Sequence, residues 1–386
     1  MIDTDANATT SILPEVLDAM LPWLRGGHAN PSSAYAGAKL ARRAIDRARE
    51  QVASLIGADP SEIIFTGGGT ESVNTALHSL DQLTGHGAAV VSAIEHSAVL
   101  RCVENFPRPV TKVPVDHGGR LDLAALELAL DGAAYLSIMA ANNETGILQP
   151  LAEATALARE RGLAIHTDAI QLAGKMPINV RASGIDLLSI SAHKFHGPKG
   201  VGALYVRQGL RFSPLFHGGG QESGRRSGTE NTASIVAMGA AAVCAEQFLK
   251  RGGPACLAGL RDPFERAALA GISGITVNGN LHHRLPNTSH LSFEHCDAAG
   301  LLILLDEMGV ACSAGSACMT GKQRPSHVQL AMGIPENRAK SSLRISFSRL
   351  NTSEEALQAA HFLQRAVEKL RRVQGTGVGP VAVYSP

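Results

Sequence analysis

The chain has 386 residues, 45% hydrophobic and 18% charged, which excludes a disordered chain and predicts more than one domain. Its formal net charge of +1 gives no electrostatic case for nucleic-acid or membrane-surface partners. Six cysteines, at 102, 244, 256, 296, 312 and 318, are too sparse for a disulfide framework and include no CxxC pair, so neither a disulfide scaffold nor a structural zinc is expected. No run reads as long and apolar enough to span a bilayer. The start, Met1-Ile2-Asp3-Thr4-Asp5, is acidic and unlike a signal peptide, so a cytoplasmic protein with reduced thiols is expected.

From Ile63 to Val206, short β-rich runs alternate with helical patterns. The candidate strands are Ile63–Thr66, Ala89–Ile94, Tyr135–Met139, Ala164–Thr167, Leu187–Ile190 and Gly202–Val206. Most are continuously apolar, as strands buried on both faces are, which predicts an α/β class with a largely parallel, doubly wound sheet. An Ala-rich helix near Ile235–Leu249 ends at Arg251-Gly252-Gly253-Pro254. Later runs, at Gly274–Val277, Ser289–Phe293 and Leu343–Phe347, alternate with helices and predict a smaller α+β domain. The expected division is a large domain over 12–250 and a small one from 1–11 with 251–386. A loose tail is expected from about 374 to 386.

The strongest chemical segment is Ser189-Ile190-Ser191-Ala192-His193-Lys194-Phe195-His196-Gly197-Pro198. It sets a lysine just past a buried strand, where open α/β sheets bind ligands. A lone loop lysine is ordinarily just solvated. Here hydroxyl and imidazole groups surround it, and such a lysine can form an imine with a carbonyl cofactor while its neighbours bind a phosphate. Upstream, Asp168 in His166-Thr167-Asp168-Ala169-Ile170-Gln171 can either cap a helix or keep a pyridine nitrogen protonated. Gln171 is placed to meet a phenolic oxygen of the same ring. Thr66-Gly67-Gly68-Gly69-Thr70-Glu71-Ser72 reads as an anion cup at a helix start, without the spacing of a Walker or dinucleotide loop. Glu95-His96 offers a ring to stack on a cofactor or an ordinary hydrogen-bonded histidine, and Asn142-Asn143-Glu144 offers an amide.

Taken in order, these segments resemble the fold-type I pyridoxal-phosphate enzymes, and among them the NifS/IscS-type cysteine desulfurases. Asn7-Ala8-Thr9-Thr10, Asn30-Pro31-Ser32-Ser33, Gly69-Thr70-Glu71-Ser72, Glu95-His96, Asn142-Asn143-Glu144, Ala192-His193-Lys194 and Arg226-Ser227-Gly228-Thr229 carry the likeness over nearly the whole chain. The resemblance implies a large domain with a mainly parallel seven-stranded sheet and pyridoxal phosphate bound to Lys194. It implies His96 stacked on the ring, Asp168 on the pyridine nitrogen and Gln171 on the phenolic oxygen. Phosphate would be held by Thr70, Ser191 and His193, with Thr229 supplied by a second subunit of a homodimer. The carboxylate of L-cysteine would be gripped by Asn142 and Arg344.

Cys312-Ser313-Ala314-Gly315-Ser316-Ala317-Cys318-Met319-Thr320-Gly321-Lys322 resembles the catalytic loop of this family, expected here at about 310–325. The resemblance implies that Cys318 attacks the substrate sulfur, becomes a persulfide and passes the sulfur to a protein acceptor. L-alanine is the other product. Cys312 reads as a small packed residue or as a second, relaying thiol. Met319 and the basic Lys322-Gln323-Arg324 depart from the family, as does Asp5-Ala6-Asn7, where two asparagines are common. A selenocysteine lyase or other β-lyase on the same scaffold stays open. So does a sulfur-assembly scaffold with weak catalysis, and the acceptor pathway (iron–sulfur, tRNA or DNA thiolation) is unnamed.

Overall fold

The computed structural model describes residues 1–314 and 325–375. Seven strands form the larger sheet: β1 (Ile63–Thr66), β2 (Ala88–Ser92), β3 (Val110–Val113), β4 (Ala133–Ser137), β5 (Ala164–Asp168), β6 (Leu187–Ser191) and β7 (Gly202–Val206). Their order across the sheet is β1-β7-β6-β5-β4-β2-β3. β7 runs antiparallel to both of its neighbours, and every other pair is parallel. The carboxyl ends of six strands therefore share one edge, where such sheets bind ligands. β1, β6 and β7 are buried along their whole length, which explains their unbroken apolar runs.

Six of the seven strands lie where the sequence places them, Ile63–Thr66 and Gly202–Val206 to the residue and the other four with ends shifted by one or two. The seventh, β3, was not read from the sequence. It is a four-residue edge strand, Val110-Thr111-Lys112-Val113, paired on one side only, so water replaces a second neighbour and the apolar signal is weak.

The expectation that no run is long and apolar enough to cross a membrane is corrected by the helix Thr232–Lys250. Its 19 residues pass on length and composition. It is mostly buried among protein, packed on the helices Pro14–Arg25 and Ala36–Ile56, and its small alanines and Gly239 allow the close approach that makes it so apolar.

A second sheet is antiparallel throughout. It contains β8 (Ile275–Val277), β9 (Thr288–Phe293), β10 (Ser313–Ala314) and β11 (Ser342–Ser346), in the order β10-β11-β9-β8. β11 alternates strictly. Leu343 and Ile345 enter an apolar core with Leu291, Phe293, Phe264 and Phe347. Ser342, Arg344 and Ser346 take the opposite face, as the two-residue period of a strand requires. The chain start belongs with this sheet: Ile2–Asp3 pairs in parallel with Val310–Ala311, and the Ala6 amide donates to the Ser346 carbonyl at 3.0 Å. Residues 7 and 8 are thereby carried across to the carboxyl edge of the large sheet, and Thr10 N donates to the His193 carbonyl there.

Candidate active site

At that edge lies a cavity of about 320 Å³, within the usual range of small-molecule sites. It is lined by Asn7, Thr70, His96, Asn143, Asp168, Gln171, Ser191, His193, Lys194 and Arg344, among others. Eight of the eleven site residues singled out in the sequence meet here; Asn142 and Thr229 are not among them, and Cys318 lies outside the described residues.

Lys194 sits on a 3-10 turn, Ala192–Lys194, that follows β6 directly. Its Nζ donates to the carbonyls of Asn7 and Ala8, both at 2.7 Å. Burial pulls its pKa down to about 8, with Arg344 adding to the effect and Asp168 and Asp5 opposing it. Asp168 ends β5, and its Oδ1 accepts from the Ile170 amide at 3.0 Å. No helix starts here, since turns follow Asp168 and the next helix is Val180–Ser183, so the helix-capping role considered from sequence is not found; the bond closes a local turn and uses one oxygen. Asp168 forms no salt bridge among the described residues. Burial raises its pKa to about 6, while the Ile170 hydrogen bond and Lys194 act against the rise. A buried carboxylate facing a cavity without an ion-pair partner calls for a cationic ligand atom.

His96 caps the helix Ser97–Glu104, its Nδ1 accepting from the Ala98 amide at 3.1 Å. The neutral ring therefore carries its proton on Nε2. Burial and Lys194 both lower its pKa, so neutrality is the resting state. His193 is held near neutrality more strongly, at about 4, by burial and then by Lys194, Lys199 and Lys175. Its Nδ1 lies 3.2 Å from Thr9 Oγ1.

The Gly67-Gly68-Gly69 turn opens the helix Gly69–Leu83 beside these groups. Gly69 eases the packing there. A Cβ at this position would crowd the end of the Ile170 side chain and stand 3.3 Å from Ser191 Cβ, so the absence of a side chain lets three elements converge without displacing either. The first amides of a helix lie outside its hydrogen-bond ladder and favour an anion. Thr70, Ser191 and His193 surround that end of the cavity.

Arg344 reaches in from β11. Its Nη1 donates to the Asn143 carbonyl at 2.9 Å and its Nη2 to Asp5 Oδ1 at 2.7 Å, while Nε is buried with no partner among the described residues. Asn142 is not brought to the cavity. It is fully buried; its Nδ2 donates to the Ile94 carbonyl, and its Oδ1 accepts from Glu144 N, Thr145 N and Thr145 Oγ1. Shaping its own loop consumes the amide, and the neighbouring Asn143 lines the cavity instead. Thr229 is exposed and lies apart, beside Gly67 and Arg226, while Arg226 pairs with Glu71 at 2.8 Å. Cys318, Met319 and Lys322-Gln323-Arg324 lie outside the described residues, as does the sequence beyond Gly375.

Sequence reasoning passed over four groups of this site. Asp5 holds Arg344, and Asn7 gives its carbonyl to both Lys194 and Gln171. Lys175 lies behind Gln171, and Glu144 accepts from Ser326 Oγ at 2.5 Å. Asp5, Asn7 and Glu144 stand in motifs quoted above without a role assigned to them, and Lys175 carries only its spacing of four from Gln171.

The class-V aminotransferase profile matches residues 2–358. The chain belongs to the class-V aminotransferase family. It is 43% identical over 385 residues to the cysteine desulfurase NifS of Azotobacter vinelandii, covering 98% of this chain and 96% of that one. A solved NifS-like protein superposes with a TM-score of 0.88 at 36% identity, covering 96% of this chain and 99% of that one. The structure of SspA in complex with cysteine superposes with a TM-score of 0.78 at 34% identity, covering 91% and 100%. Enzymes of this family use pyridoxal phosphate, and the fold is the fold-type I arrangement that the sequence implies. The cavity fits the cofactor on its own evidence: an amine of lowered pKa, an unpaired buried carboxylate and an anion-receiving helix start converge in one space.

Proposed function

We propose that the chain takes sulfur from L-cysteine with pyridoxal phosphate linked to Lys194, and that Cys318 carries the sulfur to a protein acceptor. Cysteine desulfurase activity accords with relatives of that name at 42–44% identity over nearly the full chain. The observation that supports the residue roles best is the convergence of Lys194, Asp168, His96 and Arg344 on one cavity.

When bound, the cofactor supplies an electron sink for the bonds to the substrate's α-carbon. Lys194, near its point of half-protonation at neutral to mildly basic pH, offers an amine to form the link and then to take the α-proton. Asp168 would hold a proton on the pyridine nitrogen, and Gln171 would donate to the phenolic oxygen. Thr70, Ser191 and His193 would hold the phosphate. Arg344 receives the substrate carboxylate, for which a guanidinium has a matching fork. His96, protonated at Nε2, would stack on the ring and hand a proton to and fro. The Cys318 thiolate attacks the substrate sulfur: an S–S bond forms, the C–S pair stays with carbon, and a proton completes alanine. The persulfide then moves to an acceptor.

The same proposal includes a homodimer, because Thr229 is exposed and lies apart from the cavity that it would serve from a second copy. It also includes a cytoplasmic location and the division at residues 11 and 250. Lys194→Ala tests the core of the reading. Loss of the visible absorbance and of all alanine formation is expected; a normal spectrum would sink it. Cys318→Ser should keep the spectrum and lose sulfur release.

A further inference from the structure

Lys175 is the one lysine buried among the described residues, 5% exposed. Its Nζ donates to Gln171 Oε1 at 2.6 Å and to Asn7 Oδ1 at 3.1 Å. Both acceptors are neutral amide oxygens, and Lys175 enters no salt bridge among the described residues. A buried amine held by two amides is costly unless its hydrogen bonds do something that a carbon side chain cannot. The backbone is shaped to deliver it: Gly174 has φ +74°, and a Cβ there would lie 2.5 Å from Phe195 Cβ.

The consequence falls on Gln171. The Lys175 amine donates to the amide oxygen and the Asn7 carbonyl can only accept from the amide nitrogen, so together they turn the oxygen towards Lys175 and the nitrogen away from it. The Gln171 Nε2 donates to the Asn7 carbonyl at 2.8 Å and keeps a second N–H. Gln171 lines the cavity beside Lys194, and the Asn7 carbonyl that it meets also receives Lys194. Turned the other way, the amide would present a carbonyl oxygen towards an anionic phenolic oxygen, and the two would repel.

We propose that Lys175 is a positioning residue that orients the Gln171 amide, so that an N–H and not a carbonyl faces the phenolic oxygen of the cofactor. This rests on the placement of pyridoxal phosphate at Lys194. By locking that donor, Lys175 sets the acidity of the Lys194-linked cofactor without touching it. Asn7 shares the task, because its Oδ1 also accepts from Asn287 Nδ2 at 3.1 Å and is thereby held in place.

The test is a pH titration of the visible absorbance of the holoprotein, with no substrate present. Donation to the phenolic oxygen lowers the pH midpoint at which the linked nitrogen loses its proton. Lys175→Met should therefore raise the midpoint by about one unit, the size expected for a lost hydrogen bond to an ion. Gln171→Ala should raise it similarly. The double variant should sit with Gln171→Ala alone, because Lys175 acts through that amide. An unchanged midpoint in Lys175→Met, or fully additive shifts in the double variant, would overturn the proposal. Should the methionine variant fail to fold, Lys175→Gln keeps a polar end in the pocket and is expected to give a smaller rise. No rise in that variant likewise overturns the proposal. A wild-type protein with no pH-dependent chromophore overturns the cofactor placement itself, an outcome distinct from a wild-type titration that Lys175→Met leaves unmoved.

Discussion

Arg344 Nη2 donates to Asp5 Oδ1 across 2.7 Å, so the guanidinium proposed for the substrate carboxylate already has a carboxylate beside it. Asp5 is itself fixed, because Ser313 Oγ donates to its other oxygen at 2.9 Å. Substrate must share the arginine with this internal anion. Asp5→Asn keeps an acceptor of the same shape and removes the charge. The KM for L-cysteine is expected to fall roughly three- to tenfold, about 0.7–1.4 kcal/mol of binding, with little change in kcat. Steady-state alanine formation measures it, and an unchanged or higher KM would show that Asp5 merely orients the arginine.

The lowered pKa of Lys194 has its own signature. Burial is the main cause, Arg344 the next, and the value is about 8 against an ordinary 10.5. Only the neutral amine can attack an aldehyde. The rate at which cofactor-free protein takes up pyridoxal phosphate should climb with pH and level off above about 8, followed as growth of visible absorbance. A climb continuing to the ordinary lysine range would contradict the burial argument. The native state also holds fewer protons on this group than the unfolded chain does between about 8 and 10.5. Its contribution to stability therefore grows as pH rises through that window.

Cys312 and Cys318 stand six positions apart and are expected to behave oppositely. Burial pushes the Cys312 thiol up to about 12, Asp5 adds to the rise and Arg344 opposes it. A thiol so placed stays neutral and inert near pH 7. Cys312→Ala should retain turnover within about twofold, since a partly buried small residue is exchanged for another. Iodoacetamide at neutral pH, read by peptide mapping, should mark Cys318 well before Cys312. Preferential labelling of Cys312, or loss of sulfur release in Cys312→Ala, would return it to the relay role.

The legible part of this molecule was the part with a local signal. Buried parallel strands announce themselves by apolar runs, and the groups at their carboxyl ends, from Thr70 to Lys194, are candidates by that placement, with their roles supplied by the family resemblance. What stayed hidden depends on long-range pairing. β3 has half its surface in water and an ordinary composition. Asn142 and Asn143 are identical in type, and only the fold decides that the first caps its loop while the second lines the cavity. Asp5 meets Arg344 across 339 positions. Lys175 reads as a surface lysine until the helical turn and Gly174 fold it inward.

Glu144 offers a last test, because it ties the cavity loop to the start of the helix His327–Ala331. Its Oε2 accepts from Ser326 Oγ at 2.5 Å, and Ser326 Oγ also accepts from Val328 N at 3.1 Å, capping the helix His327–Ala331. Burial raises the Glu144 pKa to about 7, while Ser326 and Arg344 hold it down. The native state thus binds more protons than the unfolded chain, whose value is the ordinary 4.5, and this group's contribution to stability is lost as pH rises from about 4.5 to 7. Glu144→Gln keeps an acceptor for Ser326 and cannot ionise. Compared with wild type, its melting temperature should improve progressively across that window. The gain at pH 7.5 should be on the order of 1–3 kcal/mol, a few degrees for a chain of this size. A constant offset between the two proteins at all pH values would mean that Glu144 ionises with the same pKa in the folded and unfolded chain, and that burial does not raise it.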